Sequence, residues 1–132
     1  MEPIMKNITE ILLLLFLAIV FLQSGIDKLI DWNGNLGWLK GHFSKTPMRN
    51  IVPLMLGIVL IFELIAGALC FLGLLEVVVL GTTTLAFYGA IIACNALLML
   101  LFGQRVAKDY DGAKTIAIYF VPAIFLVFLL QP

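Results

Sequence analysis

The sequence predicts an all-α integral membrane protein, a bundle of four transmembrane helices. Three observations carry this expectation: the apolar fraction, the length of the apolar runs, and their lack of alternation. Of 132 residues, 63% are hydrophobic and 12% are charged, and the mean hydropathy is +1.14. A soluble domain this small has too high a surface-to-volume ratio to hide that much apolar surface, so the surplus must face lipid. The runs do not alternate and far exceed the strand length of a transmembrane barrel. The length accommodates one domain, residues 1–132.

The first apolar run covers 8–30, with its dense stretch at Ile11–Leu22. A secretory leader is the rival reading, but only Lys6 precedes the run, Glu2 and Glu10 offset it, and no small-x-small cleavage pattern follows. The second run, 51–74, has Pro53 in its first turn, where a missing N–H costs nothing. Its one charge is Glu63. A tight hairpin is expected at Gly73-Leu74-Leu75-Glu76. The third run, 77–102, carries no charge, and the fourth, 115–130, is shorter and contains Pro122. At 1.5 Å per residue, the first three are long enough to cross ~30 Å of hydrocarbon, and the fourth barely so.

Two polar connections remain, residues 31–50 and 103–114. The first interleaves Trp32, Trp38 and Phe43 with Lys40, Lys45 and Arg49, a composition suited to the headgroup layer. An interfacial helix or loop is expected there. Four spans put both connections on one side, together with Lys28, Lys40, Lys45, Arg49, Arg105, Lys108 and Lys114. The other side holds Lys6 with Glu2, Glu10 and Glu76. The positive-inside rule therefore assigns 31–50 and 103–114 to the cytoplasm and both termini to the outside.

Net charge is zero and no basic stripe is available to neutralise a phosphate backbone, so nucleic acid is not an expected partner. No phosphate-binding loop, dinucleotide fingerprint, nucleophile elbow or zinc-protease motif occurs. His42 is the single histidine, with no second ligand type near it in the sequence, and reads as a solvated loop residue rather than a metal ligand. With the hairpin at 73–76, Cys70 and Cys94 stand about 20 Å apart in depth, too far for a disulfide. In 104–112, Arg105 and Lys108 alternate with Asp109 and Asp111. This stretch reads either as a helix end and a solvated turn broken by Gly112, or as a dock for a partner or an anionic headgroup.

Candidate chemistry centres on Glu63, close to the bilayer centre. A carboxylate facing lipid there is costly, so it must turn inward and find a polar partner or carry a proton. Counted from the same hairpin, Tyr88 lies at equal depth and is the expected hydrogen-bond partner. Tyr88 and Asn95 share a face seven residues apart. Gln23, Ser24, Tyr88, Asn95, Glu63 and Tyr119 together outline a polar chamber, with the alternative that they are interhelical glue. Lys28 either snorkels to headgroups or clamps an anionic ligand. Small residues form packing faces on the second run (Gly57, Ala66, Gly67, Ala68, Cys70, Gly73) and on the third (Ala86, Gly89, Ala90, Ala93). Trp32, Trp38, Arg49, Arg105 and Lys108 are the candidate contacts to a partner or to lipid headgroups.

Phe21-Leu22-Gln23-Ser24-Gly25-Ile26-Asp27-Lys28-Leu29 resembles the first-helix ending of the DoxX family. Glu63-Leu64-Ile65-Ala66-Gly67-Ala68-Leu69 with Leu72-Gly73-Leu74 resembles its second-helix motif, and 104–113 resembles a variant found among small DoxX-like proteins. Order and spacing agree across nearly the whole chain, and Gly25, Lys28, Glu63 and Gly67 match by position. Many members carry an arginine early in the first helix, where this chain has only Lys6. The resemblance implies a four-helix protein of a bacterial inner membrane, related to membrane subunits of quinone-linked sulfur and thiol redox systems. It assigns no catalytic role to any residue.

Two expectations of function follow. One is a membrane subunit that anchors or assists a redox or envelope complex and holds a quinone or lipid in a polar intramembrane site, without catalysis of its own. The other is a structural assembly subunit that packs against other membrane proteins and has no ligand. A transporter component would call for inverted repeats or broken helices, and neither is present in the sequence.

Overall fold

The structure, a computed structural model, describes residues 2–132 except the side chain at position 3. Its helices are α1 (Glu2–Lys6), α2 (Ile8–Ile30), α3 (Trp32–His42), α4 (Val52–Leu80), α5 (Thr84–Val106) and α6 (Tyr110–Leu130), and there is no strand among the described residues. Four of them, α2, α4, α5 and α6, are long and apolar enough to cross a membrane. The chain is an all-α, multi-pass membrane bundle. In it α2 packs on α4, α4 on α5 and α5 on α6, and α6 touches α2.

Leu12, Leu54, Ile61, Val79, Phe102, Val121 and Phe128 are each more than half exposed and point away from the bundle. An apolar surface of that extent is stable against lipid, not water. The interior is made of Leu14, Leu17, Phe21, Val77, Leu97 and Leu126, with a run of small residues between α4 and α5. A Cβ at Gly73 would stand 2.5 Å from Ala86 Cα, and one at Gly89 would stand 2.9 Å from the Cys70 backbone nitrogen. The two backbones are therefore in contact, as the small-residue faces led us to expect. Their packing is antiparallel, with Gly73 at Ala86 and Cys70 at Gly89.

The hairpin differs from the sequence expectation. Residues 73–76 are helical, and α4 runs on to Leu80. Gly73 is a glycine for reasons of space, not a breaker. The helix stops at Gly81, in the left-handed region (φ 74°), with its N–H donating to the Glu76 and Val77 carbonyls. Glu76 then secures the turn from below: Oε2 accepts from Thr82 Oγ1 at 2.8 Å, and Oε1 accepts from the Leu85 N–H at 2.9 Å. One carboxylate thus ends α4 and supplies the first turn of α5 with the acceptor that it lacks.

This shift of the turn also overturns the depth argument for the cysteines. Cys70 lies 11 residues before Gly81 and Cys94 lies 13 after it, so they differ in depth by only ~3 Å. Both are buried and free. The last helix also starts earlier than expected, at Tyr110 rather than 115, because Asp109 caps it by accepting from the Gly112 N–H at 2.9 Å. Gly112 therefore sits inside the first turn of α6 and does not break a helix. A Cβ there would press on the Asp109 carboxylate and the Gln104 amide.

At the other end α3 follows α2 after Asp31, whose carboxylate accepts from the Gly34 N–H at 3.2 Å. None of the α3 residues is fully buried. Gly73→Leu should lower the thermal midpoint of the detergent-solubilised protein, at an overpacking cost of about 1–3 kcal/mol. Gly37→Ala, where an added Cβ meets nothing within 4 Å, should leave that midpoint unchanged or raise it. Equal midpoints for the two variants would contradict the close α4–α5 approach.

Candidate functional site

The α2–α4 crossing brings the polar residues together. A Cβ at Gly25 would lie 2.6 Å from Leu64 Cδ2, and one at Gly67 would lie 3.0 Å from the Leu22 backbone nitrogen. These two glycines let the helices meet side by side. Ser24 and Lys28 are four residues apart, hence on one face of α2, and that face meets Glu63 of α4.

Glu63 is 2% exposed. Its Oε2 accepts from Ser24 Oγ at 2.6 Å, and Ser24 Oγ accepts from Lys28 Nζ at 2.7 Å. Lys28 Nζ also stands 2.8 Å from Glu63 Oε1. That last contact is a charge contact whose angles miss hydrogen-bond geometry, so Oε1 keeps an unfilled acceptor position. The three groups close a ring that neutralises the carboxylate inside the bundle. The ammonium commits a hydrogen bond only to Ser24, so it keeps donors to spare.

The Lys28 side chain is 16% exposed, and what exposes it is a groove. This groove, about 850 Å³, runs between the basic end of α4, α5 and α3, lined by Lys28, Trp38, Met55, Phe62, Asn95 and Phe102 among others. Its wall is overwhelmingly apolar, with the Lys28 ammonium and the Asn35, Asn95 and Gln104 amides as its few polar groups. The volume falls in the ~300–1,000 Å³ range of small-molecule sites.

The six-residue chamber expected from the sequence is not assembled. Ser24 joins Glu63, and Asn95 is on the groove, but Gln23 is exposed on the outside of α2. Tyr88 is 56% exposed and packs its ring on Phe87 with centroids 6.1 Å apart; it does not touch Glu63. Its place follows from the displaced hairpin. Glu63 lies 18 residues before Gly81 and Tyr88 only seven after it, a depth difference of ~16 Å. Tyr119 instead pairs with Phe16 at 6.1 Å. Lys28, expected to snorkel or clamp a ligand, is the missing partner. The signal for it was present in the sequence, as the Ser24–Lys28 spacing.

Compared with family models, with curated proteins and with solved structures, the chain has no match. Gly25, Lys28, Glu63 and Gly67 form this crossing together with Ser24.

The basic end holds a second polar cluster. His42, expected to be a solvated loop residue, ends α3 and is clamped. Its Nε2 lies 2.9 Å from Gln104 Oε1 and 3.7 Å from Asp109 Oδ2, and its ring stacks on Trp38 at 4.5 Å with Phe43 edge-on at 5.3 Å. The contact bridges α3 to the α5–α6 connection. Trp32 leans on Gly57 of α4. Arg49 donates to the Thr46 carbonyl at 3.4 Å, and the Arg105 guanidinium covers the Tyr110 ring at 4.9 Å. Lys108 is exposed at a positive φ of 60°.

Removing one partner of the buried pair strands the other, at a cost of about 3–5 kcal/mol. Lys28→Met and Glu63→Leu should each lower the unfolding free energy of the solubilised protein by an amount of that order. The double variant should lie well above the sum of the two losses. Strict additivity in such a cycle would mean that the two groups do not interact.

Proposed function

We propose that the chain is a DoxX-like subunit of an inner membrane that holds an amphiphilic ligand, a quinone or a lipid, in the groove beside Lys28 and assists a redox or envelope complex. One observation carries the reading: the groove is apolar along its length, and its one cation is the Lys28 ammonium, with a donor to spare. Such a wall suits a hydrocarbon or isoprenoid chain ending in a hydrogen-bond-accepting head, which the ammonium and the Asn95 amide can meet. Glu63 and Ser24 orient the ammonium from behind. Glu63 does not line the groove, so its role in this reading is to position Lys28.

Seven of the eight basic residues gather at the end carrying α3 and the α5–α6 connection, which supports placing that end in the cytoplasm and both termini outside. The groove would then open toward the inner leaflet. Partner subunits would be met by the exposed helix ridges.

The test is binding. A short-chain ubiquinone analogue added to the purified protein should raise its thermal midpoint, by the equivalent of about 2.7 kcal/mol at a hundredfold excess over Kd. Val59→Trp, which fills the groove, should abolish the rise, and Lys28→Met should weaken it. Extracts of the purified protein, analysed by mass spectrometry, should hold a quinone or lipid that Val59→Trp lacks. Identical extracts and no shift with any amphiphile would sink the reading in favour of a purely structural subunit.

A further inference from the structure

A second pocket lies at the basic end, outside the groove. It is about 360 Å³ and is lined by His42, Ser44, Lys45, Thr46 and Lys108 among others. From these residues we infer a binding site for a phosphate oxyanion, distinct from the Lys28 site.

Two lysines line it, Lys45 from the segment after α3 and Lys108 from the α5–α6 connection, and both are exposed. Neither forms an ion pair among the described residues. No carboxylate lines the pocket. Asp109, next to Lys108 in the chain, is engaged elsewhere: it caps α6 through the Gly112 N–H and faces His42 at 3.7 Å. The Lys45 N–H, in the turn after α3, donates to no protein acceptor among the described residues. Lys108 has a left-handed backbone, an uncommon conformation for a residue with a side chain.

The two hydroxyls of the pocket and one ring nitrogen of His42 already have partners. Ser44 Oγ donates to the Gly41 carbonyl at 2.8 Å, and Thr46 Oγ1 donates to the Phe43 carbonyl at 2.8 Å. His42 Nε2 is occupied by Gln104. An occupant would therefore meet two lysines whose charges are unpaired among the described residues, and no free hydroxyl. That set fits a compact, multiply charged oxyanion such as phosphate. The same chemistry is offered by an anionic phospholipid headgroup and by free or metabolite phosphate.

The full chain in neutral detergent is titrated with inorganic phosphate, and separately reconstituted in phosphatidylcholine nanodiscs with and without phosphatidylglycerol. Bound phosphate is read by phosphorus NMR and bound lipid by native mass spectrometry. Lys45→Gln and Lys108→Gln should each weaken binding about fivefold, the equivalent of ~1 kcal/mol per lysine near a charged surface. Lys45→Arg should retain most of it. Phosphatidylglycerol retention without inorganic phosphate binding identifies the source as lipid, and saturable inorganic phosphate binding identifies it as soluble. Either supports the site. If Arg49→Gln or Arg105→Gln, both outside the pocket, weakens binding as much as the lysine variants, the attraction is a general one of the basic end and the site is overturned. Wild-type protein that takes up neither ligand also overturns it. The ubiquinone shift is unaffected by these variants, so failure here leaves the groove untouched.

Discussion

A carboxylate in the middle of the longest apolar helix sets the terms for the rest of the bundle. Glu63 is three residues from the midpoint of α4, where lipid would penalise it by several kcal/mol. It is tolerated because α2 comes close enough to deliver Ser24 and Lys28, and α2 comes close because Gly25 and Gly67 remove the side chains that would hold it off. The charge and the small residues are parts of one device. The groove depends on it in turn, since the ammonium that neutralises Glu63 is also the cation in the groove wall.

The two ends of the molecule solve different problems. At the hairpin end Glu76 closes a turn of minimal length, satisfying a hydroxyl and a backbone donor at once. At the basic end the connections are longer, and their order comes from side chains that reach across the sequence. His42 meets Gln104 at a separation of 62 residues, and this contact holds α3 against the last turn of α5. Trp38, stacked on that histidine, borders the groove.

The fold class was legible because composition and run length depend on the solvent alone, and lipid leaves a strong compositional mark. The packing faces were mostly legible too: Ala66, Gly67, Cys70 and Gly73 on α4 and Ala86, Gly89, Ala90 and Ala93 on α5 are buried, although Ala68, expected among them, is exposed. The site was only half legible. Glu63 announced a need for a partner, yet α4 is apolar on every side, so no periodicity tells which face meets which helix. The choice between Tyr88 and Lys28 then hung on where the chain turns. Gly73 looks like a breaker and is a spacer; Gly81, nested among apolar and threonine residues, is the true stop. An error of a few residues there displaced every depth on α5, and with it Tyr88 and Cys94. His42 escaped because its partners are distant in sequence, and local context offered no sign of them.

The order of the helices along the chain has a consequence for biosynthesis. A segment leaving the ribosome is judged for insertion largely on its own apolarity, and an acidic residue at its centre counts against it by ~2.5–3.5 kcal/mol. The helix that bears Glu63 is the longest of the four candidate spans and has the highest mean hydropathy, 2.7 against 2.2 for each of the others. That surplus offsets the acid during the interval before tertiary contacts exist. The helix carrying the neutralising ammonium is made first, so the countercharge is already in the bilayer when the acid enters.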